Sequence, residues 1–264
     1  MKKTIIYILS TNYAGSTMLS LMLGAHSKAI LISEAKVLRR DDQLRPPCLL
    51  CGKDNICAIN EGISSKNIDQ LYDIQFERWE DADVVVDSSK KPWWPELFLS
   101  QKDKYDMKFI HLVRDPRSLV RRWDMKFKDR SSLSSQRWRL IRKSSDMLLR
   151  APFCDRTTLY TYKWLGQNRD ISNFLAKYHL EHRVITYHDL VKDTEQQIRD
   201  LTDFIGIAYE EQQVRYWTTQ QHGGGKISDI LDHTGIQLDL RWQAYLSDDL
   251  RISITNHQLF NQNV

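Results

Sequence analysis

The sequence predicts an α/β fold in which a central, mainly parallel sheet is flanked by helices within a single domain, residues 1–264. Three observations carry that prediction. Short apolar runs rich in Ile and Val alternate with stretches of helical spacing along the whole chain. Two of the runs, residues 5–9 (IIYIL) and 83–87 (DVVVD), read as strands of a buried parallel sheet. Two runs also end in a tight turn that passes straight into a helix start, at Gly15-Ser16-Thr17 and at Arg114-Asp115-Pro116.

The elements follow in order. Ile5, Ile6, Tyr7, Ile8 and Leu9 form the first strand, and Met18, Leu19, Leu21, Met22 and Leu23 give the helical pattern after the small-residue loop. Residues 30–32 are a short apolar run leading to Ser33-Glu34, and residues 40–62 form a loop insertion with Arg45-Pro46-Pro47 and three cysteines. A helical pattern (Ile68, Leu71, Tyr72, Ile74, Phe76, Trp79) precedes the strand at 83–87. Pro92-Trp93-Trp94-Pro95 opens another helix. Residues 108–113 (KFIHLV) are a strand, and Pro116 stands at the first helical position, where a missing N–H costs nothing. Residues 117–180 are largely helical with a break near Ala151-Pro152, residues 183–187 (RVITY) form a last strand, and a helix runs from about Asp189 to Ile205. Residues 220–240 are Gly-rich and polar. Strands joined through helices imply right-handed parallel crossovers, with ligands at the strand C-terminal ends.

The 264 residues are 41% hydrophobic, enough for one sizeable core. A formal net charge of +4 suits an anionic small ligand and gives no argument for nucleic acid. Lys2 and Lys3 precede only about seven apolar-leaning residues, short of a signal-peptide core, and no run approaches a membrane span. The expected compartment is the cytoplasm, where the four cysteines stay reduced.

The turn after the first strand points backbone N–H groups and the positive end of a helix dipole at one spot, the geometry that binds phosphate. Against the pattern G-x-x-x-x-G-K-[ST], Ser10 stands at the first Gly and Ser16 where the Lys would be. Without that Lys the loop suits a 5′-phosphate better than a triphosphate. The turn after residues 108–113 offers cations instead. Arg114 leaves a strand end with a planar fork that grips phosphate bidentately. One backbone-based and one Arg-based site on strand ends point to a ligand with two separated phosphates.

Together the two turns resemble those of the sulfotransferase superfamily, which moves a sulfuryl group from 3′-phosphoadenosine-5′-phosphosulfate (PAPS) to a hydroxyl or amine. In that family a strand–loop–helix holds the 5′-phosphosulfate, and a strand ending in R-[DN]-P begins the 3′-phosphate site. The corresponding stretches are Tyr13-Ala14-Gly15-Ser16-Thr17 and Arg114-Asp115-Pro116. Leu23-Gly24-Ala25-His26 with Ser33-Glu34, the segment Asp87-Ser88-Ser89-Lys90-Lys91-Pro92, Tyr187-His188-Asp189-Leu190 and His222-Gly223-Gly224-Gly225-Lys226 with Trp242 are similar to further family segments, in the family's order.

The resemblance implies a P-loop NTPase-like sulfotransferase fold, PAPS as donor, 3′-phosphoadenosine-5′-phosphate (PAP) as product, and no required metal. The donor contacts it implies are Tyr13, Ala14, Gly15, Ser16, Thr17, Arg114, Arg122, Gly225 and Lys226. Two of these depart from the family pattern: Tyr13 replaces a Lys or Arg, and Arg122 stands where a Ser usually binds the 3′-phosphate. Positions 118 and 122 share a helix face, which lets Arg122 act as a substitute. Glu34 is the expected base for the acceptor proton, and Lys90 the cation on the sulfuryl or bridging oxygen. The expected partner is a small-molecule, glycan or peptide acceptor, with no nucleic acid and no integral membrane segment. Two other readings stay open: a non-catalytic PAP- or nucleotide-binding protein of the same fold, and a P-loop nucleotide kinase.

Cys48-x2-Cys51 with Cys57 has zinc-like spacing, but structural zinc takes four ligands and only three cysteines lie here. The expectation is an acceptor-side loop of reduced thiols without metal. His111 reads as a core histidine, and Trp93, Trp94 and Trp138 read as core aromatics, with an acceptor groove as the alternative.

Overall fold

Ile5, Ile6, Tyr7, Ile8 and Leu9 lie in β1 (Thr4–Ser10), a strand buried along its whole length, because both of its faces are covered by helices. The computed structural model describes residues 2–39, 50–51, 57–59, 61–142, 152–222 and 235–259. β1 is the centre of a five-stranded sheet completed by β2 (Ala29–Ser33), β3 (Val84–Lys90), β4 (Asp106–Val113) and β5 (His182–Thr186). The order is β2-β3-β1-β4-β5 and every pairing is parallel. The chain therefore has the α/β fold that the sequence predicts.

Alternate residues of β1 feed two cores. Ile5, Tyr7 and Leu9 pack with Leu71, Tyr72 and Phe76 of α2 (Leu71–Arg78) and with Ile171, Phe174 and Leu175 of α6 (Arg156–Lys177). Ile6 and Ile8 pack on the opposite face with Leu19, Leu21, Met22 and Leu23 of α1 (Ser16–Gly24) and with Ile198, Leu201 and Ile205 of α8 (Thr194–Ile205). A third cluster joins α4 (Pro116–Lys126), α5 (Arg130–Ile141) and the first half of α6 to Trp242 and Ile254 near the C-terminus. Among the described residues no helix is long and apolar enough to cross a membrane.

The structure refines several sequence expectations. The helix expected from Asp189 to Ile205 is two helices: α7 (Tyr187–Lys192) starts at Tyr187, and Asp193 leaves the helical region at φ −135° before α8 begins. Trp94 is fully buried as expected, but Trp93 is 36% and Trp138 62% exposed, and neither belongs to a core cluster. β3 extends to Lys90, past the apolar run, because the polar residues 87–90 are themselves buried.

Candidate active site

The crevice is built at the C-terminal ends of β1, β3 and β4. After Ser10 the chain turns through Tyr13, at φ +71°, and Gly15, at φ +102°, and enters α1. Only glycine fits at position 15. Besides the left-handed φ, an added Cβ would stand 2.6 Å from Cδ2 of Tyr187. Among the described residues no side chain caps α1, so its first amide groups and its dipole face the crevice. Among the described residues, the buried hydroxyls of Ser10 and Thr11 also find no hydrogen-bond partner. Unsatisfied donors around a helix start form a cradle for an anion.

Arg114 lies just past β4, and its side chain is 12% exposed. One guanidinium nitrogen donates to the Tyr13 carbonyl at 2.9 Å and another to Oδ2 of Asp239 at 2.8 Å. The guanidinium carbon sits 4.2 Å from the Tyr187 ring centroid, and Nε is buried with no partner among the described residues. Asp115 caps α4 through the Arg117 amide at 2.8 Å and pairs with the Arg117 side chain. The neighbouring carboxylate is thus taken up locally, and Arg114 points at the loop. Asp239 also pairs with Arg241 at 2.6 Å, and that contact, with Arg114 adding to it, holds the carboxyl well below its ordinary range.

Tyr13 stands where the family pattern has a cation, and cations reach it from α4. The Arg122 guanidinium lies 5.0 Å and the Lys126 ammonium 5.2 Å from its ring centroid, and Lys126 donates to its hydroxyl. Positive charge therefore stands beside the loop although residue 13 is neutral.

Beside β1, Lys90 pairs in the ladder with Leu9. Between Tyr7 and Leu9 of β1 the partners step from Asp87 to Lys90, so β3 carries one extra residue, and Lys90 adopts φ +68°. Such a bulge re-aims the side chain at a strand end. The side chain of Lys90 is only 6% exposed and contacts Oε1 of Glu34, whose other oxygen takes Lys36. Burial pushes the Glu34 carboxyl up, but Lys90 and then Lys36 outweigh it and hold the group below its usual range. Burial pulls the Lys90 ammonium below its usual value, with Glu34 opposing. The two residues chosen from sequence as base and cation are thus in contact.

Asp87, overlooked as a site residue in the sequence reading, holds this turn. It is fully buried and accepts from the Tyr72 hydroxyl at 2.9 Å, Trp94 Nε1 at 2.6 Å and the Ser89 amide at 2.8 Å. Ser89 in turn accepts from the Lys36 amide at 3.1 Å, so one buried acid orders both lysines. Next to Lys90 a pocket of about 220 Å³ is lined by Lys91, Trp93, Gln167 and Asp170, among others. Lys163 is also absent from the sequence reading. It lies 4.3 Å over the Trp123 ring, and burial, followed by Lys91, Arg139 and Lys126, pushes its ammonium down to about 7.

His111 is a buried core residue bonded to Asn168 at 3.0 Å, as the sequence reading holds. Gly225, Lys226 and Cys48 lie outside the described residues. Cys51 and Cys57 lie together with His222, on α2's side of the sheet.

The chain's structure is similar to that of the sulfotransferase domain from the curacin biosynthetic pathway, with a TM-score of 0.61 at 20% identity, covering 97% of each chain. It is also similar to the sulfotransferase domain from the Synechococcus PCC 7002 olefin synthase, with a TM-score of 0.61 at 17% identity over 100% of this chain and 96% of that one. Mouse sulfotransferase SULT7A1, complexed with PAP, gives a TM-score of 0.51 at 12% identity over 97% of this chain and 83% of that one. No protein-family model and no curated sequence matches the chain. At these identities the likeness is one of fold.

Proposed function

Because the chain has the sulfotransferase fold, we propose that it transfers a sulfuryl group from PAPS to a hydroxyl or amine acceptor. The observation that carries this reading is the meeting of three features at adjacent strand ends. These are an uncapped helix start after β1, a buried Lys90 in contact with Glu34, and Arg114 engaged with a carboxylate beside the loop.

In this reading the amides of Gly15, Ser16 and Thr17 hold the 5′-phosphate, and Arg114 takes the 3′-phosphate with Arg122 near it. Glu34 accepts the proton of an acceptor hydroxyl as that oxygen bonds to sulfur. The bond from sulfur to the phosphate oxygen breaks, and its electron pair stays on that oxygen, against Lys90 and the loop amides. Lys90 cannot serve the donor and neutralise Glu34 equally. As Lys90 turns to the new anion, Glu34 loses part of the charge that depresses it and becomes a better base. The donor carries no polyphosphate chain to neutralise, so in this reading the chemistry requires no divalent ion. Trp93 and the pocket beside Lys90 offer a surface for an organic acceptor.

Calorimetry with PAP, ADP and ATP, followed by transfer of labelled sulfate from PAPS to an acceptor panel, tests the reading. PAP is expected to bind at least about tenfold tighter than ADP, since the 3′-phosphate adds a charge-assisted contact. A preference for ATP overturns the reading in favour of a kinase. Tight PAP binding without transfer to any acceptor identifies a binding protein, the alternative that Tyr13 in place of a cation favours.

A further inference from the structure

We propose that Cys51, Cys57 and His222 bind a zinc ion that staples the loop before α2 to the segment at residue 222. The Sγ atoms of both cysteines lie 3.4 Å from the same atom, Nδ1 of His222, and the three ligand atoms all fall within 4.8 Å of one another. A tetrahedral zinc with ordinary Zn–S and Zn–N bonds separates sulfur from nitrogen by about 3.6 Å, so the spacing suits one shared ion. Hydrogen bonding alone accounts for it less well. A neutral imidazole nitrogen has one lone pair and accepts one thiol proton, yet two sulfurs approach it equally. Two thiolates and an imidazole also select zinc over harder cations.

The surroundings fit a structural ion. Cys57 is buried at 6% exposure, Cys51 packs against the same core, and the His222 ring stands edge-on to Trp79 at 6.1 Å. The preceding residue, Gln221, belongs to the other face of the sheet. It donates to the Leu21 carbonyl of α1 at 3.0 Å, and a Cβ at Gly24 would stand 2.7 Å from its Oε1 and from Leu31. Residues 221–222 thus cross the open edge of the sheet at β2, and His222 meets a residue 165 positions earlier in the chain. An ion there closes a long loop over an edge strand, a place where proteins add a constraint. The sequence expectation of a metal-free thiol loop counted only cysteines. Cys48, at C-x2-C spacing from Cys51, lies outside the described residues; the three residues named supply three of the four tetrahedral positions, and a further ligand such as water takes the fourth.

The test is elemental analysis of the purified full-length chain, with exchange of zinc for Co²⁺, whose absorption reports thiolate ligation and tetrahedral geometry. About one zinc per chain is expected, with a thiolate-to-cobalt band that weakens in Cys57→Ser. His222→Ala should lose the metal and His222→Cys keep it, because a thiolate can take the imidazole's place. Cys154→Ser, outside the cluster, should keep it in full. A chain that takes up neither zinc nor cobalt overturns the proposal. So does a cobalt spectrum of the unmutated protein without thiolate bands, a result that does not depend on any variant folding. PAP affinity and transfer enter none of these readouts, so failure here is separable from failure of the proposed activity.

Discussion

Glu34 and Asp239 each bridge two cations at the rim of the sheet, yet they are held in different ways. Glu34 follows β2 directly and joins Lys90, the last residue of β3, to Lys36. Asp239 comes from a C-terminal segment outside the sheet and joins Arg114 to Arg241. The first carboxylate belongs to the scaffold that shapes the crevice. The second lies on Arg114, the side chain proposed to take a phosphate. An Asp239 oxygen on the Arg114 guanidinium takes the place a phosphate oxygen would occupy, so we read Asp239 as a competitor and Glu34 as a participant. Neutralising the two should therefore act on different quantities, lowering turnover for Glu34 and tightening PAP for Asp239.

The largest effect is expected for Glu34→Gln. The amide keeps the shape of the side chain and cannot take a proton, so turnover should fall by about 10²–10⁴-fold while PAP affinity measured by calorimetry stays nearly unchanged. A fully active variant removes Glu34 as the base and makes the Lys90 contact purely structural. Next comes Arg114→Ala, expected to weaken PAP by more than about tenfold through loss of a charge-assisted contact. Unchanged affinity would place the 3′-phosphate elsewhere. Asp239→Asn should then tighten PAP by roughly three- to tenfold, because an amide no longer competes for the guanidinium. If this variant binds PAP more weakly, Asp239 positions Arg114, and the contrast with Glu34 collapses.

This contrast also marks how far the sequence is legible. The sheet is readable because each strand carries a local apolar run, and the turn into α1 because Gly15 and its small neighbours sit between strand and helix. Pro116 and Asp115 mark the start of α4 in the same local way. What stays hidden is long-range. Ser88, Ser89 and Lys90 lie past the run read as a strand, yet they are buried together with Asp87. Their burial rests on Tyr72 and Trp94, which reach Asp87 from two separate helices. Asp239 meets Arg114 across 125 positions, and no local pattern encodes that pairing. Tyr13 illustrates the same limit. The sequence shows a missing cation, whereas the structure brings Arg122 and Lys126 to its ring from α4. Cysteine spacing alone gave no metal, because the additional ligand, His222, arrives from the far end of the chain.

The smallest effect is the most discriminating. If Glu34 must be ionised and Lys90 protonated, the pH profile of turnover is bell-shaped. Its acid limb belongs to Glu34 and lies below the ordinary glutamate range, since Lys90 and Lys36 overcome the burial that would raise it. Its alkaline limb belongs to Lys90 and lies below the ordinary lysine range, because burial outweighs the attraction of Glu34. Lys36 pushes both groups the same way, favouring the ionised carboxylate and opposing the protonated ammonium. Lys36→Met should therefore move both limbs toward higher pH and translate the bell with little change in width. Arg241→Met, which removes the equivalent second cation from Asp239, should leave the bell where it is and alter only PAP affinity. A bell that shrinks in place in Lys36→Met would show that Lys36 only orders the turn through Ser89, and that the charge shared between Glu34 and Lys90 does not set the chemistry.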